Sequence, residues 1–125
     1  MLLDTYAWVE FFKGTNKGKE VKEILKKERC YTSIISIAEL VEWCLKNNLE
    51  TKLGEYVKDI NKTSIILNLD EEIVLLAGKI NHERKKKIKG WGMIDSLILA
   101  TSISYNLNTL TGDIHFKDLS NAKIL

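Results

Sequence analysis

Four acidic side chains have types and positions that suggest shared chemistry: Asp4, Glu39, Asp95 and Asp113. Asp95 is the only charged residue between Lys89 and Asp113, although 29% of the chain is charged. The surrounding residues 93 to 100 are apolar nearly all round a helix, which is typical of a buried helix. A lone carboxylate in a buried helix is costly unless it has a partner, so Asp95 is a candidate functional group.

The elements that position these acids are predicted from alternating strand and helix patterns. Short β-forming runs occur at residues 1–3, 30–35, 63–69, 108–111 and 122–125. Helical patterns occupy residues 5–14, 17–28, 36–48, 50–61, 70–90 and 92–106. This alternation predicts a single α/β domain over residues 1–125. We expect a three-layer α/β/α sandwich around a mostly parallel sheet of four to five strands.

Three of the acids follow predicted strands. Asp4 directly ends the first strand, Glu39 lies one helical turn after the second, and Asp113 lies two residues after the fourth. The carboxyl ends of parallel strands share one edge of a sheet, which is where open α/β sheets bind ligands. Asp95 lies in the first turn of its predicted helix and can point to the same edge. We therefore expect the four carboxylates to meet.

Each acid also has a purely structural explanation. Asp4 and Asp95 would cap helices, and Asp113 fits an ordinary turn. Ser36 and Glu39 fit a capping box. Taken together, however, these explanations leave the shared edge unexplained. Four neighbouring carboxylates repel one another unless protons or a cation neutralise them, and Mg²⁺ and Mn²⁺ prefer oxygen ligands.

Four segments of the chain resemble the PIN domain family, and most closely its small VapC-type toxin ribonucleases. The segments are LLDTYAWVEFF, TSIISIAEL, MIDSLILATS and TLTGDIHF, which occur in the family's order across essentially the whole chain. The resemblance implies that the family's catalytic, metal-binding quartet falls on Asp4, Glu39, Asp95 and Asp113. It places a supporting hydroxyl at Thr111, and Thr5 beside Asp4 is a second candidate for this role.

The resemblance implies a PIN-like endoribonuclease that depends on Mg²⁺ or Mn²⁺ and acts on single-stranded or structured RNA. It also implies a homodimer held inactive by a cognate antitoxin. A metal in the acidic site would orient and acidify a water for in-line attack, leaving 5′-phosphate and 3′-hydroxyl ends. Metal-free ribonucleases need a general acid and base, usually including histidine, and nothing in the sequence pairs His82 with His115.

Substrate contacts are predicted in the basic run before the site helix. Its members are Arg84, Lys85, Lys86, Lys87 and Lys89, which would bind the RNA backbone or simply form a solvated helix end. Trp91 is a candidate for stacking on a base, whereas Trp8 and Trp43 favour packing. Glu42 is either an extra acid or the partner of Lys46, and the i, i+4 spacing favours the pair.

Three other functions are compatible with parts of this pattern. One is a PIN-like RNA-processing nuclease without an antitoxin, and another is a module that keeps the acids but only binds RNA or protein. A phosphoacceptor receiver domain also alternates strands with helices around an acidic magnesium pocket. That domain needs paired acids after its first strand, whereas Asp4 is alone there, and Asp70 fits a helix start better than a phosphorylation site. The pattern therefore favours the nuclease.

Composition narrows the class of protein. An apolar content of 45% without proline argues against disordered and collagen-like chains. No apolar run reaches the roughly 18 residues that span a membrane, and the first residues lack a signal-peptide pattern, so we expect a cytoplasmic protein. A net charge of +2 is too small to indicate a polyanionic partner. Cys30 and Cys44 lack metal-site spacing and are predicted to be buried thiols.

Overall fold

Short strands alternate with helices in the computed structural model, which describes all 125 residues. The five strands are Leu2–Leu3 (β1), Tyr31–Ser33 (β2), Ile65–Leu67 (β3), Thr109–Thr111 (β4) and Ala122–Ile124 (β5). The six α-helices are Thr5–Lys13 (α1), Asn16–Lys27 (α2), Ile34–Lys46 (α3), Leu53–Thr63 (α4), Glu71–Arg84 (α5) and Met93–Ser104 (α6). Single 3-10 turns cover Glu50–Lys52 and Ile114–Phe116. None of the helices combines the length and apolar character needed to cross a membrane.

The sheet has the strand order β3-β2-β1-β4-β5, and every neighbouring pair is parallel. The first strand of the chain therefore lies in the centre, where Leu3 pairs with Thr32 on one side and with Leu110 on the other. Because parallel neighbours need crossover connections, a helix lies between each pair of consecutive strands except β4 and β5, which a 3-10 turn connects. The predicted α/β fold is confirmed.

Two helical layers cover the two faces of the sheet. Successive side chains of a strand point to opposite faces, so Leu2 and Leu3 enter different cores. Leu3 packs with apolar side chains of α1 to α4, among them Trp8 and Leu40. Leu2 packs on the other face with Ile98 and its neighbours in α6. The chain therefore forms the predicted three-layer α/β/α sandwich.

The boundary between β2 and α3 differs from the prediction. The run at 30–35 was expected to be a strand because tyrosine, threonine and isoleucine favour strands, but β2 ends at Ser33. The Ser33 hydroxyl caps α3 by accepting a hydrogen bond from the Ile35 N–H at 3.3 Å. Ser36 consequently lies inside the helix, where it is buried and its hydroxyl has no hydrogen-bond partner.

The basic run forms a turn rather than the end of a long helix. The helix predicted over 70–90 begins at Glu71 and stops at Arg84, and residues 85–90 are turns that lead to α6. Gly90 has a φ of +89°, a left-handed backbone conformation that favours glycine. Lys85, Lys87 and Lys89 are therefore exposed on a turn beside the sheet edge.

Both cysteines are buried free thiols, as predicted. Cys30 and Cys44 belong to the core between the sheet and helices α1 to α4. Burial raises the pKa of both thiols above the ordinary value, which keeps them protonated and inert.

Candidate active site

Three acids reach the same edge of the sheet because of the strand directions. Asp4 directly follows β1, and Asp113 lies two residues after β4. Glu39 lies in the second turn of α3, which starts where β2 ends. Since all three strands are parallel, their carboxyl ends lie side by side and present these carboxylates together.

Asp95 completes the acidic group from the opposite layer. It lies in the first turn of α6, and this helix precedes β4, so its N-terminal end lies at the carboxyl edge of the sheet. One pocket of about 280 Å³ is lined by all four acids. The remaining lining residues are Thr5, Tyr6, Ile94, Ile98, Gly112, Ile114 and Phe116. The structure thus brings the four acids that the sequence singled out into one pocket.

Three of the acids also cap local structure. Asp4 accepts a hydrogen bond from the Ala7 N–H at 2.9 Å and thereby caps α1. Asp95 accepts from the Gly92 N–H at 3.0 Å, and Asp113 accepts from the His115 N–H at 2.9 Å. Each contact uses one carboxylate oxygen and fixes the side chain. The structural explanations are therefore correct for these residues, and they are compatible with a shared site.

The capping-box explanation is wrong for Glu39. Ser33, not Ser36, caps α3, so Glu39 lies in the second turn rather than at the third helical position. Its carboxylate instead accepts a hydrogen bond from the Thr5 hydroxyl, 34 residues earlier in the chain. This contact joins the start of α1 to α3 across the pocket, and it leaves the second Glu39 oxygen without a hydrogen-bond partner in the protein.

Thr111 links two of the acids. Its hydroxyl accepts a hydrogen bond from the Asp113 N–H at 2.9 Å and thus fixes the turn that carries Asp113. The same buried hydroxyl lies beside Asp4 and stabilises its ionised form. Both threonines expected to support the acids, Thr5 and Thr111, contact them.

The pocket is electrostatically unfavourable for the acids alone. Burial raises the pKa of Asp4 to about 7, and repulsion from Asp113 and Glu39 adds to this despite the hydrogen bonds from Thr111 and Ala7. Burial also raises the pKa of Glu39, with further repulsion from Asp95. The pKa of Asp95 is raised by burial and by Asp113, against the Gly92 hydrogen bond. A cation bound here would remove this repulsion.

The chemistry of the donor atoms fits Mg²⁺ or Mn²⁺. Glu39, Asp95 and Asp113 each keep one carboxylate oxygen that makes no hydrogen bond within the protein. As placed, no three acidic, histidine or cysteine side chains converge tightly enough to enclose an ion on their own. Magnesium usually retains several waters and binds few carboxylates directly, so an open acidic pocket matches its coordination habit.

Two side chains near the acids have local partners. His115 places Nδ1 2.9 Å from Asp113 Oδ1, and about a third of its side chain is exposed. Glu42 pairs with Lys46 at 2.8 Å, which confirms the predicted i, i+4 pair. That ion pair lowers the pKa of Glu42, which does not line the acidic pocket. Glu42 therefore adds no fifth acid to the pocket.

Two of the predicted substrate contacts are occupied within the protein. Trp91 is only 6% exposed, and its indole N–H donates to the Ser96 hydroxyl at 2.7 Å. Arg84 stacks over the Trp91 ring, with 4.2 Å from the guanidinium carbon to the ring centroid, and pairs with Asp118. Neither side chain is free to contact a substrate, because the Trp91 ring and the Arg84 guanidinium are both engaged in contacts within the protein. Lys86 pairs with Glu83 at 3.4 Å.

Tyr6 and Gly112 form a part of the pocket that the sequence interpretation missed. A β-carbon at Gly112 would lie 2.0 Å from Cε1 of the Tyr6 ring, so the ring packs directly against the glycine backbone. The Tyr6 hydroxyl accepts a hydrogen bond from Lys17 Nζ at 3.2 Å. A glycine directly before Asp113 is the one sequence signal of this close approach.

Comparisons with solved structures match nearly the whole chain. The VapBC complex of Salmonella typhimurium bound to DNA has a chain 23% identical, with a TM-score of 0.78 over 99% of this chain and 95% of that one. VapBC-1 of nontypeable Haemophilus influenzae gives 22% identity and a TM-score of 0.77 over 99% and 95%. VapC20 of Mycobacterium tuberculosis is described as a sarcin-ricin loop cleaving toxin. It is 11% identical to this chain, with a TM-score of 0.78 over 95% of this chain and 94% of that one.

A sequence-family comparison gives the assignment. No curated protein matches the chain significantly. The family model described as the PIN domain matches residues 1–122, which is nearly the entire chain, and confirms the resemblance seen in the four motifs. The acidic pocket at the carboxyl edge of a parallel sheet and this match lead to one conclusion: the chain belongs to the PIN domain family.

Proposed function

We propose that this protein is a divalent-metal-dependent endoribonuclease and the toxin of a VapBC-type toxin–antitoxin module. The observation that carries the proposal is the single pocket lined by Asp4, Glu39, Asp95 and Asp113. Membership of the PIN family and the likeness in fold to VapC toxins support it. A protein acting on cellular RNA in this way would work in the cytoplasm.

Each acid is held in place by a hydrogen bond from a neighbouring group. Asp4, Asp95 and Asp113 each use one oxygen to accept a hydrogen bond from a backbone N–H, which fixes the carboxylate at the wall of the pocket. The hydroxyl of Thr5 donates a hydrogen bond to one oxygen of Glu39 and fixes that carboxylate. Such preorganisation lets the acids hold charge without rearranging during the reaction.

The four acids would together hold Mg²⁺ or Mn²⁺. When bound, the ion would lower the pKa of a water and neutralise charge on the scissile phosphodiester, and the products would carry 5′-phosphate and 3′-hydroxyl ends. The protein contributes the orientation of the acids and a partly apolar lining, since the buried side chains of Phe116 and Ile98 line the pocket. Metal-free cleavage would need an acid–base pair, and the only histidine near the site, His115, contacts Asp113 rather than a second base.

Cleavage of a structured RNA tests this proposal directly. The purified chain is expected to cut RNA with Mg²⁺ or Mn²⁺, to stop with EDTA, and to leave 5′-phosphate ends. Asp95→Asn should abolish cutting, because the amide still accepts the Gly92 hydrogen bond but carries no charge. Asp70→Asn is the matched control, since Asp70 caps α5 through the Ile73 N–H and lies outside the pocket.

Cutting that persists in EDTA or in folded Asp95→Asn protein would remove the proposed mechanism. Circular dichroism on each variant separates loss of the site from loss of the fold. Wild-type protein that binds RNA but never cuts it, with either metal, would favour a binding module that retains the acids.

We further propose an antitoxin and a second copy of the chain as partners. Several structural neighbours were solved as toxin–antitoxin complexes, which supports a cognate antitoxin for this chain. An arginine from that partner would match the acidic pocket, because a guanidinium binds carboxylates through two parallel hydrogen bonds. Expression of the wild-type chain should arrest growth, and coexpression of a small protein encoded beside it should restore growth. Sedimentation of the purified chain should give twice its mass of 14.3 kDa.

A further inference from the structure

We propose that a cleft formed by Lys87, Lys89 and Lys117 is a phosphate-binding subsite, which holds the backbone of the RNA strand beside the scissile position. This inference rests on the proposed ribonuclease function and specifies where the substrate runs. It narrows the basic run to two lysines and adds Lys117, which comes from a different part of the chain.

The cleft has two walls of different origin. One wall is the turn after α5 that contains Lys87 and Lys89, and the other is the segment after β4 that contains Ile114 and Lys117. The open cleft between them has a volume of about 380 Å³. Gly90 brings the walls together, because its β-carbon position would lie only 3.1 Å from the His115 ring.

Arg84 fixes the distance between the walls. From the end of α5 its guanidinium donates to the His115 carbonyl at 2.8 Å and to both Asp118 oxygens at 2.9 and 3.0 Å. Its side chain is only 14% exposed and stacks on the Trp91 ring. A buried, planar guanidinium with two parallel bonds to one carboxylate holds a rigid geometry. The cleft is therefore built into the tertiary structure.

The charges in the cleft favour a polyanion. Asp118 is the only carboxylate that lines it, and Arg84 neutralises that carboxylate. Lys87, Lys89 and Lys117 form no ion pair with any carboxylate of the chain. Three unpaired ammonium groups in one concave surface are suited to phosphate oxygens. The other two lysines of the basic run do not line the cleft, and Lys86 pairs with Glu83.

The cleft adjoins the acidic pocket. Ile114 lines both, and its side chain is 69% exposed at their shared border. The pocket itself is lined by four acids and no lysine or arginine, so it repels a phosphate backbone unless neighbouring cations compensate. A strand with one phosphate at the acids would place flanking phosphates at the lysines of the adjoining cleft. Repulsion in the pocket and attraction in the cleft together set the register of the strand.

RNA binding without cleavage tests this inference. The Asp95→Asn protein in EDTA is titrated with a short, labelled single-stranded RNA of mixed sequence over a range of salt concentrations. The cleft variant carries Lys87→Gln, Lys89→Gln and Lys117→Gln. The control variant carries Lys22→Gln, Lys27→Gln and Lys58→Gln, which are exposed lysines that form no ion pair and lie outside the cleft. Both triple variants lose the same charge.

The cleft variant is expected to bind RNA about tenfold or more weakly, and the control variant to bind within about twofold of the parent. We plot the logarithm of the RNA association constant against the logarithm of the salt concentration. The slope should become shallower by about 2, because each of three lost phosphate contacts on a single strand accounts for about 0.7. Lys117→Gln alone should reduce the slope by about 0.7. Melting curves show that each variant is folded.

Equal weakening in both triple variants would overturn the inference, since it would show that only net charge matters. Unchanged affinity and slope in the cleft variant would overturn it as well. The cleavage assay on proteins with an intact Asp95 is read separately. A wild-type chain that never cuts RNA refutes the nuclease, while the binding titration still decides whether the cleft holds RNA.

Discussion

Asp4 serves two functions whose charge requirements conflict. As the N-cap of α1 it accepts the Ala7 N–H, a contact that favours the ionised carboxylate. As part of the buried pocket it lies near Asp113 and Glu39, and its pKa is raised to about 7. Asp4 thus lies in a place where its charge costs stability, a property that is common among binding and catalytic residues.

Neutralising Asp4 should stabilise the metal-free protein. A carboxyl group whose pKa is raised on folding costs stability once it must ionise. The cost is absent below the ordinary value of 3.8, grows as pH rises, and is complete above about 7. We therefore expect Asp4→Asn to raise the melting temperature by several degrees above pH 7 and to change it little below pH 3.8. Asparagine still caps α1.

Thermal melts in EDTA across this pH range measure the effect. Asp70→Asn serves as the control because Asp70 is an exposed N-cap of α5. An equal gain for both variants, or a gain for Asp4→Asn that does not depend on pH, would contradict the burial-based explanation.

The contact between Gly112 and Tyr6 gives a second prediction. Gly112→Ala places a methyl group within the Tyr6 ring, so the ring or the Asp113 turn must move. We expect lower stability and weaker metal-dependent cleavage. In a Tyr6→Ala background the same substitution should cost much less, because the space is then free. A double-mutant cycle on melting temperature measures this coupling, and full additivity would show that the two residues do not meet.

At the scale of elements, Arg84 connects α5 to the segment that follows β4. Its guanidinium contacts the carbonyl of His115, which lies in the 3-10 turn Ile114–Phe116, and the carboxylate of Asp118, which follows that turn. The ion pair also lowers the pKa of Asp118, through the hydrogen bond and the charge of the guanidinium. One side chain thereby positions the loop between β4 and β5 relative to the helical layer.

Arg84→Lys should loosen this connection although it keeps the charge. Lysine cannot form the two parallel bonds or stack flat on Trp91. We therefore expect the free energy of unfolding to fall by about 1–2 kcal/mol, an effect that the exposure of Asp118 to solvent limits. Urea unfolding of Arg84→Lys, Asp118→Asn and the double variant gives the coupling energy. No coupling between the two substitutions would show that the pair is not formed in solution.

Element boundaries show what local patterns can predict. The succession of strands and helices along the chain could be predicted from the spacing of apolar residues. Each element buries one face, so its apolar residues recur with the period of a strand or a helix. The end of β2 could not be predicted in this way, because Ile34 and Ile35 have strand propensity and only the Ser33 cap starts the helix earlier. The end of α5 at Arg84 was missed because lysines are equally compatible with a helix end and an exposed turn.

The candidate site also contains features that the sequence pattern predicts and others that depend on contacts between distant residues. Asp4, Glu39 and Asp113 could be predicted to meet because parallel strands bring their carboxyl ends together whatever the details of packing. Asp95 could be added because it is a lone charge in the first turn of an apolar helix. The pairing of Arg84 with Asp118 could not be predicted, since 34 residues separate them and no periodicity links them. Trp91 is only a candidate for base stacking in the sequence, where it lies between two glycines just before the site helix. Its burial depends on contacts with Arg84 and Phe116, which no local pattern reveals.

At the scale of the whole molecule, metal binding should stabilise the fold. An ion that binds the folded acidic pocket and not the unfolded chain raises the free energy of unfolding. The increase is about 2.7 kcal/mol when the ion concentration is one hundred times its dissociation constant. We expect Mn²⁺ or Mg²⁺ to raise the melting temperature by several degrees. Asp95→Asn should lose most of this rise and Asp70→Asn should keep it. A rise of equal size in all three proteins would indicate ion binding outside the pocket.

The central position of β1 has a consequence for synthesis of the protein. Leu2 and Leu3 are translated long before Thr109 and Leu110, so the pairing of β1 with β4 must wait until β4 has been synthesised. Asp4 and Asp113 consequently cannot meet on a short nascent chain. The pocket of four acids is therefore completed only after translation has passed Asp113. A chain that ends before Thr109 would lack β4, β5 and Asp113, and the centre of its sheet would have no partner on one side.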